Sequence, residues 1–174
     1  MSNVTLITGG ARSGKSMHAL RLTEPYARKA FIATAEACDE EMRDRIARHR
    51  KDRGPGFLTI EEPLDLAGAL RGLAGRADVA VVDCLTVWLA NVIHYRGADR
   101  PDYEEISHLL EALASPPCDV ILVTNEVGMG IVPADAMTRH YRDLAGNVNQ
   151  RVAARADKVI FTVSGIPVTI KPGK

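Results

Sequence analysis

The feature that most constrains the fold is the run Gly9-Gly10-Ala11-Arg12-Ser13-Gly14-Lys15-Ser16, set between an apolar segment, Val4 to Thr8, and a stretch of helical character. A glycine, four residues, then Gly14-Lys15-Ser16 is the phosphate-binding loop pattern. The chain there must leave a strand and curl until several N–H groups converge on one anion. It must then enter a helix whose positive end faces the same point. Lys15 can reach outer phosphates, and the Ser16 hydroxyl suits Mg²⁺. An ordinary glycine-rich turn satisfies the same spacing, but the apolar run before it and the helix after it favour nucleotide phosphate. The loop leaves the reaction open.

The rest of the chain fits that frame. Short β-branched runs at about 4–8, 30–34, 79–83, 119–124, 158–163 and 166–170 alternate with helical patterns at 15–29, 39–53, 64–74, 86–95, 102–114 and 134–154. Runs such as Val79-Ala-Val-Val82 and Val120-Ile-Leu-Val123 are apolar throughout, which suits strands covered on both faces and hence a mainly parallel sheet. The expectation is a three-layer α/β domain occupying all 174 residues. Only Ser164-Gly165 separates the last two strands, so they form a hairpin and add an antiparallel edge. Gly54-Pro55-Gly56 and Gly97–Pro101 read as loops. Acidic and basic residues balance at 22 each, so charge offers no case for a nucleic-acid or membrane partner. No apolar stretch is long enough to cross a bilayer, and the early first strand leaves no room for a signal peptide. Cys38, Cys84 and Cys118 are scattered and odd in number, as reduced thiols of a cytoplasmic protein would be.

Ligands on open α/β sheets gather beyond the carboxyl ends of the strands, which directs attention to Thr8, Thr34, Asp83, Thr124 and Val163. Asp83 ends an apolar strand, where a carboxylate can act on Mg²⁺ through water or orient Ser16; it also reads as an N-cap for a helix starting near Leu85. The segment 39–53 begins in acid and ends in base, in accord with the helix dipole. Met42 and Ile46 are four apart and can face the core. His49 stands among Arg45, Arg48, Arg50, Lys51 and Arg53. Neighbouring cations disfavour a further charge on the imidazole, and a neutral imidazole surrounded by guanidinium groups suits attack on phosphorus. A solvated basic helix end with an incidental histidine fits the same residues. Thr124-Asn-Glu-Val-Gly-Met-Gly-Ile-Val-Pro133 suits a substrate-contacting loop, or a simple connection to the polar helical segment bearing Arg139, Arg142, Asp143, Asn147, Asn149, Gln150 and Arg151.

Taken together, Thr8 to Ser16, Ile32-Ala-Thr34, Met42 with Arg45-Ile46 and His49-Arg50, Asp83-Cys-Leu-Thr86, Val123 to Pro133, Arg142-Asp-x-Ala-Gly-x-x-Asn-Gln150 and Gly165-x-Pro167 give a pattern running nearly end to end. In these segments the chain resembles the bifunctional adenosylcobinamide kinase / adenosylcobinamide-phosphate guanylyltransferase family of cobalamin biosynthesis. The resemblance implies a RecA-like P-loop fold and a homotrimer. It implies phosphorylation of adenosylcobinamide by ATP or GTP with Mg²⁺, then GMP transfer from GTP through a guanylylated histidine. Carried over, that histidine is His49, since Arg48 occupies the place where some relatives have a second one. Nucleotide contacts map to Gly9 through Ser16, to Thr34, Ala35 and Glu36, to Arg50, Lys51, Asp52 and Arg53, to Glu61 or Glu62, and to Asp83. Two other readings of the same residues are a single-function P-loop small-molecule kinase and a RecA-like ATP-binding regulatory protein.

Overall fold

A computed structural model describes residues 2–37, 40–98 and 100–173, without the side chains of Glu41, Arg45, His49, Asp52 and Arg53. Seven strands form one sheet: β1 (Val4–Gly9), β2 (Lys29–Ala33), β3 (Phe57–Glu61), β4 (Val79–Asp83), β5 (Asp119–Val123), β6 (Lys158–Val163) and β7 (Ile166–Lys171). Their order across the sheet is β3-β2-β4-β5-β1-β6-β7. All neighbours are parallel except β6 and β7. The helices are α1 (Lys15–Leu22), α2 (Glu40–Arg53), α3 (Leu66–Arg71), α4 (Leu85–Arg96), α5 (Glu104–Ala114) and α6 (Ala136–Arg155).

Because side chains alternate along a strand, each apolar run supplies both faces of the sheet. Leu6, Ile32, Ala80, Val82, Val120 and Leu122 face α3, α4, α5 and α6, in the core that encloses Trp88. Ile7, Phe31, Val79, Val81, Ile121 and Val123 face the other way, toward Ala19 of α1. Trp88 is completely buried, and its indole N–H donates to the Leu64 carbonyl at 2.8 Å. Capping follows sequence chemistry: Asp65 accepts from the Gly68 N–H at 2.8 Å to start α3, and Asp135 from the Thr138 N–H at 2.7 Å to start α6. The hairpin between β6 and β7 turns through Ser164 at φ 51 and Gly165 at φ 80, the two left-handed residues that a tight two-residue connection requires.

Three expectations need correction. The sequence reading has no strand at 57–61, yet β3 pairs with β2 there. As an edge strand it is half exposed, and Phe57-Leu-Thr-Ile-Glu61 lacks the unbroken apolar run that marks covered strands. The first helix stops at Leu22, well short of residue 29. The Thr23 hydroxyl turns back to the Leu20 carbonyl at 2.7 Å, and Pro25 cannot continue the ladder. Met42 and Ile46 are only half-buried, and α2 contributes no side chain to either core cluster among the described residues.

Candidate functional site

The connection leaving β1 travels by α1 toward β2, while the one leaving β5 travels by α6 to β6 on the far side of β1. The carboxyl ends of β1 and β5 therefore flank a crevice where successive connections diverge, the place where open α/β sheets bind ligands. The phosphate loop forms one wall. Gly9 must be glycine: at φ 148 an added Cβ would lie 2.2 Å from the Thr162 carbonyl oxygen of β6. Gly14 sits at φ 94 as the residue before α1, and no side chain caps that helix start, which leaves its amides facing the loop. The tip of the β6–β7 hairpin holds the loop from outside, with the Gly165 N–H donating to the Ser13 carbonyl at 3.0 Å.

Lys15 is buried and turned inward. Its Nζ donates to the Gly10 carbonyl at 2.5 Å and to Ser13 Oγ at 3.3 Å. Burial lowers its pKa below the ordinary lysine value, and the neighbouring Cys84 and Asp83 act against that shift. A desolvated ammonium of this kind gains more from an incoming anion than an exposed one. Gly10, Ala11, Arg12 and Gly14 are exposed, and Ser16 is half-buried at the start of α1. Asp83 ends β4. The cap position of α4 falls on Cys84 rather than on Asp83, so the capping role read from sequence is not the one the fold uses. Among the described residues, no hydrogen bond occupies the Asp83 carboxylate or the Ser16 hydroxyl. Both are hard oxygen donors of the kind Mg²⁺ accepts.

Thr34 stands beside Asp83 with its side chain fully committed. Its hydroxyl donates to the Cys84 carbonyl at 2.9 Å and accepts from the Cys84 N–H at 2.8 Å, and the residue has no exposed surface. Ala35 is half-buried, and the Glu36 carboxylate accepts from the Tyr95 hydroxyl at 3.1 Å. Burial, with a contribution from Asp83, pushes the Cys84 thiol up to about 11.

A second group of candidate residues lies elsewhere. Arg50 of α2 forms an ion pair with Glu61 at the end of β3. Together with Lys51, Gly54, Pro55 and Thr59 they line an open hollow of about 640 Å³. Of the two glutamates left open by the sequence, Glu61 faces this hollow. The Glu62 carboxylate instead accepts the Leu64 and Asp65 N–H groups, both at 2.8 Å. His49 lies in α2, but its ring, like the side chains of Asp52 and Arg53, is outside the described residues. Arg48, Arg50 and Lys51 are exposed. Four strand spacings, about 19 Å, separate β3 from β1. The structure thus gathers the loop, Asp83 and Thr34 into one cluster and keeps the Arg50–Glu61 group apart from it.

Sequence reading missed a polar network at the end of β5. Thr8 Oγ1 donates to Glu126 Oε1 at 2.6 Å, and Asn149 Nδ2 donates to the same oxygen at 3.2 Å. Thr124 Oγ1 donates to Asn149 Oδ1 at 2.8 Å, and the Asn125 N–H donates to Thr86 Oγ1 at 2.9 Å. Tyr141 donates to the Thr86 carbonyl at 2.8 Å, and its burial raises the phenol's pKa. The available signal was polar residues at a strand end followed by a polar helix; their convergence lay beyond it.

The profile of the family described as cobinamide kinase / cobinamide phosphate guanyltransferase matches residues 5–170. The chain belongs to that family. It is 47% identical over 167 residues to the bifunctional adenosylcobalamin biosynthesis protein CobP of Pseudomonas aeruginosa, covering 95% of this chain and 96% of the relative. It is 41% identical over 178 residues to the bifunctional adenosylcobalamin biosynthesis protein CobU of Escherichia coli, covering 95% and 98%. Membership carries both activities, a cobinamide kinase and a cobinamide phosphate guanylyltransferase, within cobalamin biosynthesis. Two solved structures share the fold alone. One is a prototypical ATPase of a bacterial type III secretion system, with TM-score 0.55, 10% identity, and coverage of 96% of this chain and 56% of that one. The other is the Pyrococcus horikoshii protein PH0250, with TM-score 0.54, 8% identity, and coverage of 99% and 87%. The architecture is that of RecA-like ATPases. Among the described residues, no helix is long and apolar enough to cross a membrane.

Proposed function

We propose that one nucleotide cradle serves both reactions, with Lys15 common to the two and His49 the residue that carries GMP between GTP and the corrinoid phosphate. In the kinase step the loop amides from Gly9 to Ser16 and the Lys15 ammonium hold the terminal phosphates of ATP or GTP and stabilise the phosphoryl group in flight. Ser16 and Asp83 would hold the accompanying Mg²⁺, which neutralises phosphate charge. In the second step a neutral His49 attacks the α-phosphorus of GTP and pyrophosphate leaves. The phosphate of adenosylcobinamide phosphate then displaces the imidazole and takes GMP, giving adenosyl-GDP-cobinamide.

The observation that carries the reading is the buried Lys15 amine folded into the oxygens of its own loop, with Asp83 beside it at the end of the neighbouring half of the sheet. The second step requires α2 to travel inward from the β3 edge. Among the described residues none of its side chains belongs to either core cluster, which favours such movement, and Gly54 at φ 73, followed by Pro55 and Gly56, supplies a pivot at its end. A homotrimer and a cytoplasmic setting belong to the same reading. On β7, Ile166, Val168 and Ile170 are 64%, 45% and 61% exposed, a face suited to burial against another copy.

Intact-mass analysis after incubation with Mg·GTP tests the reading. An acid-labile, base-stable adduct of one GMP, lost in His49→Ala and in Lys15→Ala, supports it. Phosphorylation of adenosylcobinamide without any adduct leaves a simple kinase, and adduct formation that survives Lys15→Ala overturns the shared cradle.

A further inference from the structure

We propose that Glu126 is the catalytic base of the kinase step, accepting the proton of the corrinoid hydroxyl as it attacks the γ-phosphorus; the inference rests on the kinase half of the reading above. When the new P–O bond forms and the bond from γ-phosphorus to the β,γ-bridging oxygen breaks, the nucleoside diphosphate departs with that oxygen. The hydroxyl proton must pass to a group beside the phosphate loop, and from there to solvent. Two carboxylates end strands at the crevice, Asp83 on β4 and Glu126 just beyond β5. Asp83 is charge-coupled to Lys15 and, in the reading above, would hold Mg²⁺ together with Ser16. Glu126 is held differently.

Its backbone N–H donates to the Gly9 carbonyl at 3.2 Å, which fixes the residue against the first residue of the phosphate loop. Its Oε1 takes both side-chain hydrogen bonds, from Thr8 at 2.6 Å and Asn149 at 3.2 Å. Among the described residues nothing bonds Oε2, and Glu126 makes no ion pair. A carboxylate gripped through one oxygen by neutral donors is oriented without being neutralised, and its other oxygen is left to accept a proton. Beyond it the chain turns outward: Met129 and Ile131 are 73% and 98% exposed, so a bulky acceptor can approach from solvent. Thr8, Asn149 and Thr124 act through Glu126 and are positioning residues.

The guanylyl step provides an internal control, because attack by a histidine on GTP involves no hydroxyl proton. Glu126→Gln keeps an oxygen that can accept from Thr8 and Asn149 and removes only the basicity. The experiment measures, for the parent and Glu126→Gln, the kcat for adenosylcobinamide phosphorylation by Mg·ATP, the rate of GMP adduct formation from Mg·GTP, the Kd for Mg·ATP and the Tm. The expected result is a fall in kinase kcat on the order of a hundredfold, with the other three readouts unchanged. Thr8→Val, which keeps the carboxylate but removes the shorter of its two side-chain hydrogen bonds, should lower kinase kcat by roughly tenfold in the same selective way; if Glu126→Gln does not fold, this variant decides. A kinase rate within about threefold of the parent, or equal losses in phosphorylation, adduct formation and Mg·ATP binding, overturns the assignment. A parent that phosphorylates but never forms the adduct refutes the His49 reading instead, and the kinase and affinity readouts still judge Glu126.

Discussion

Replacing Thr34 by valine keeps the volume of a fully buried side chain and removes only its hydroxyl. In the parent that oxygen both donates to the Cys84 carbonyl at 2.9 Å and accepts from the Cys84 N–H at 2.8 Å. The two losses are unequal. The Cys84 carbonyl keeps a second donor, the Trp88 N–H of α4 at 3.1 Å, so losing the first costs only about 0.5–1.5 kcal/mol. Among the described residues the Cys84 N–H has no second acceptor, and leaving it unsatisfied costs about 1–3 kcal/mol. A total of about 3 kcal/mol should lower the Tm of a chain this size by roughly 6–12 °C. Urea and thermal unfolding followed by circular dichroism measure the loss. Thr34→Ser is the control, since it keeps the hydroxyl and sheds one buried methyl, worth about 1 kcal/mol. Because Cys84 follows Asp83, folded Thr34→Val should also bind Mg·ATP more weakly than Thr34→Ser does. A valine variant within about 0.5 kcal/mol of the parent would show that this hydroxyl does not hold the turn, and the reasoning would fail.

Gly9→Ala places a Cβ 2.2 Å from the Thr162 carbonyl, so β1 and β6 must part; we expect a loss above about 3 kcal/mol in urea unfolding together with loss of Mg·ATP binding, and near-parental stability would refute the close approach. The Tyr26 hydroxyl donates to Asp119 at 2.5 Å, and that bond, with burial and the Asp119 charge, pushes its pKa up to about 12. The native state then binds more protons than the unfolded chain above about pH 10, so stability should fall from there to about pH 12. Tyr26→Phe should remove that part of the fall when unfolding is measured across the same window, and identical slopes would exclude the bond as its source.

Local chemistry made much of this protein legible before any fold was known. The spacing of Gly9, Gly14, Lys15 and Ser16 requires a strand, an anion-binding turn and a helix in order, because glycine geometry and helix polarity act within a few residues. Unbroken apolar runs announced covered parallel strands, and Ser164-Gly165 announced the hairpin. Strand polarity alone brought Asp83 to the same edge as the loop. What these signals lack is lateral order. That β5 lies between β1 and β4, and that β3 forms the edge, depends on contacts between distant segments which leave no periodic trace. Glu126 meets Thr8 across 118 residues of sequence, and Gly165 reaches back to Ser13 only through the closed sheet. The same long-range pairing put Arg50 on Glu61 at the far edge, away from the loop, a placement that sequence chemistry left open between a cation cluster about the phosphates and a solvated helix end. Propensity and motif are properties of neighbouring residues, whereas the crevice is built by segments that become neighbours only when the core closes.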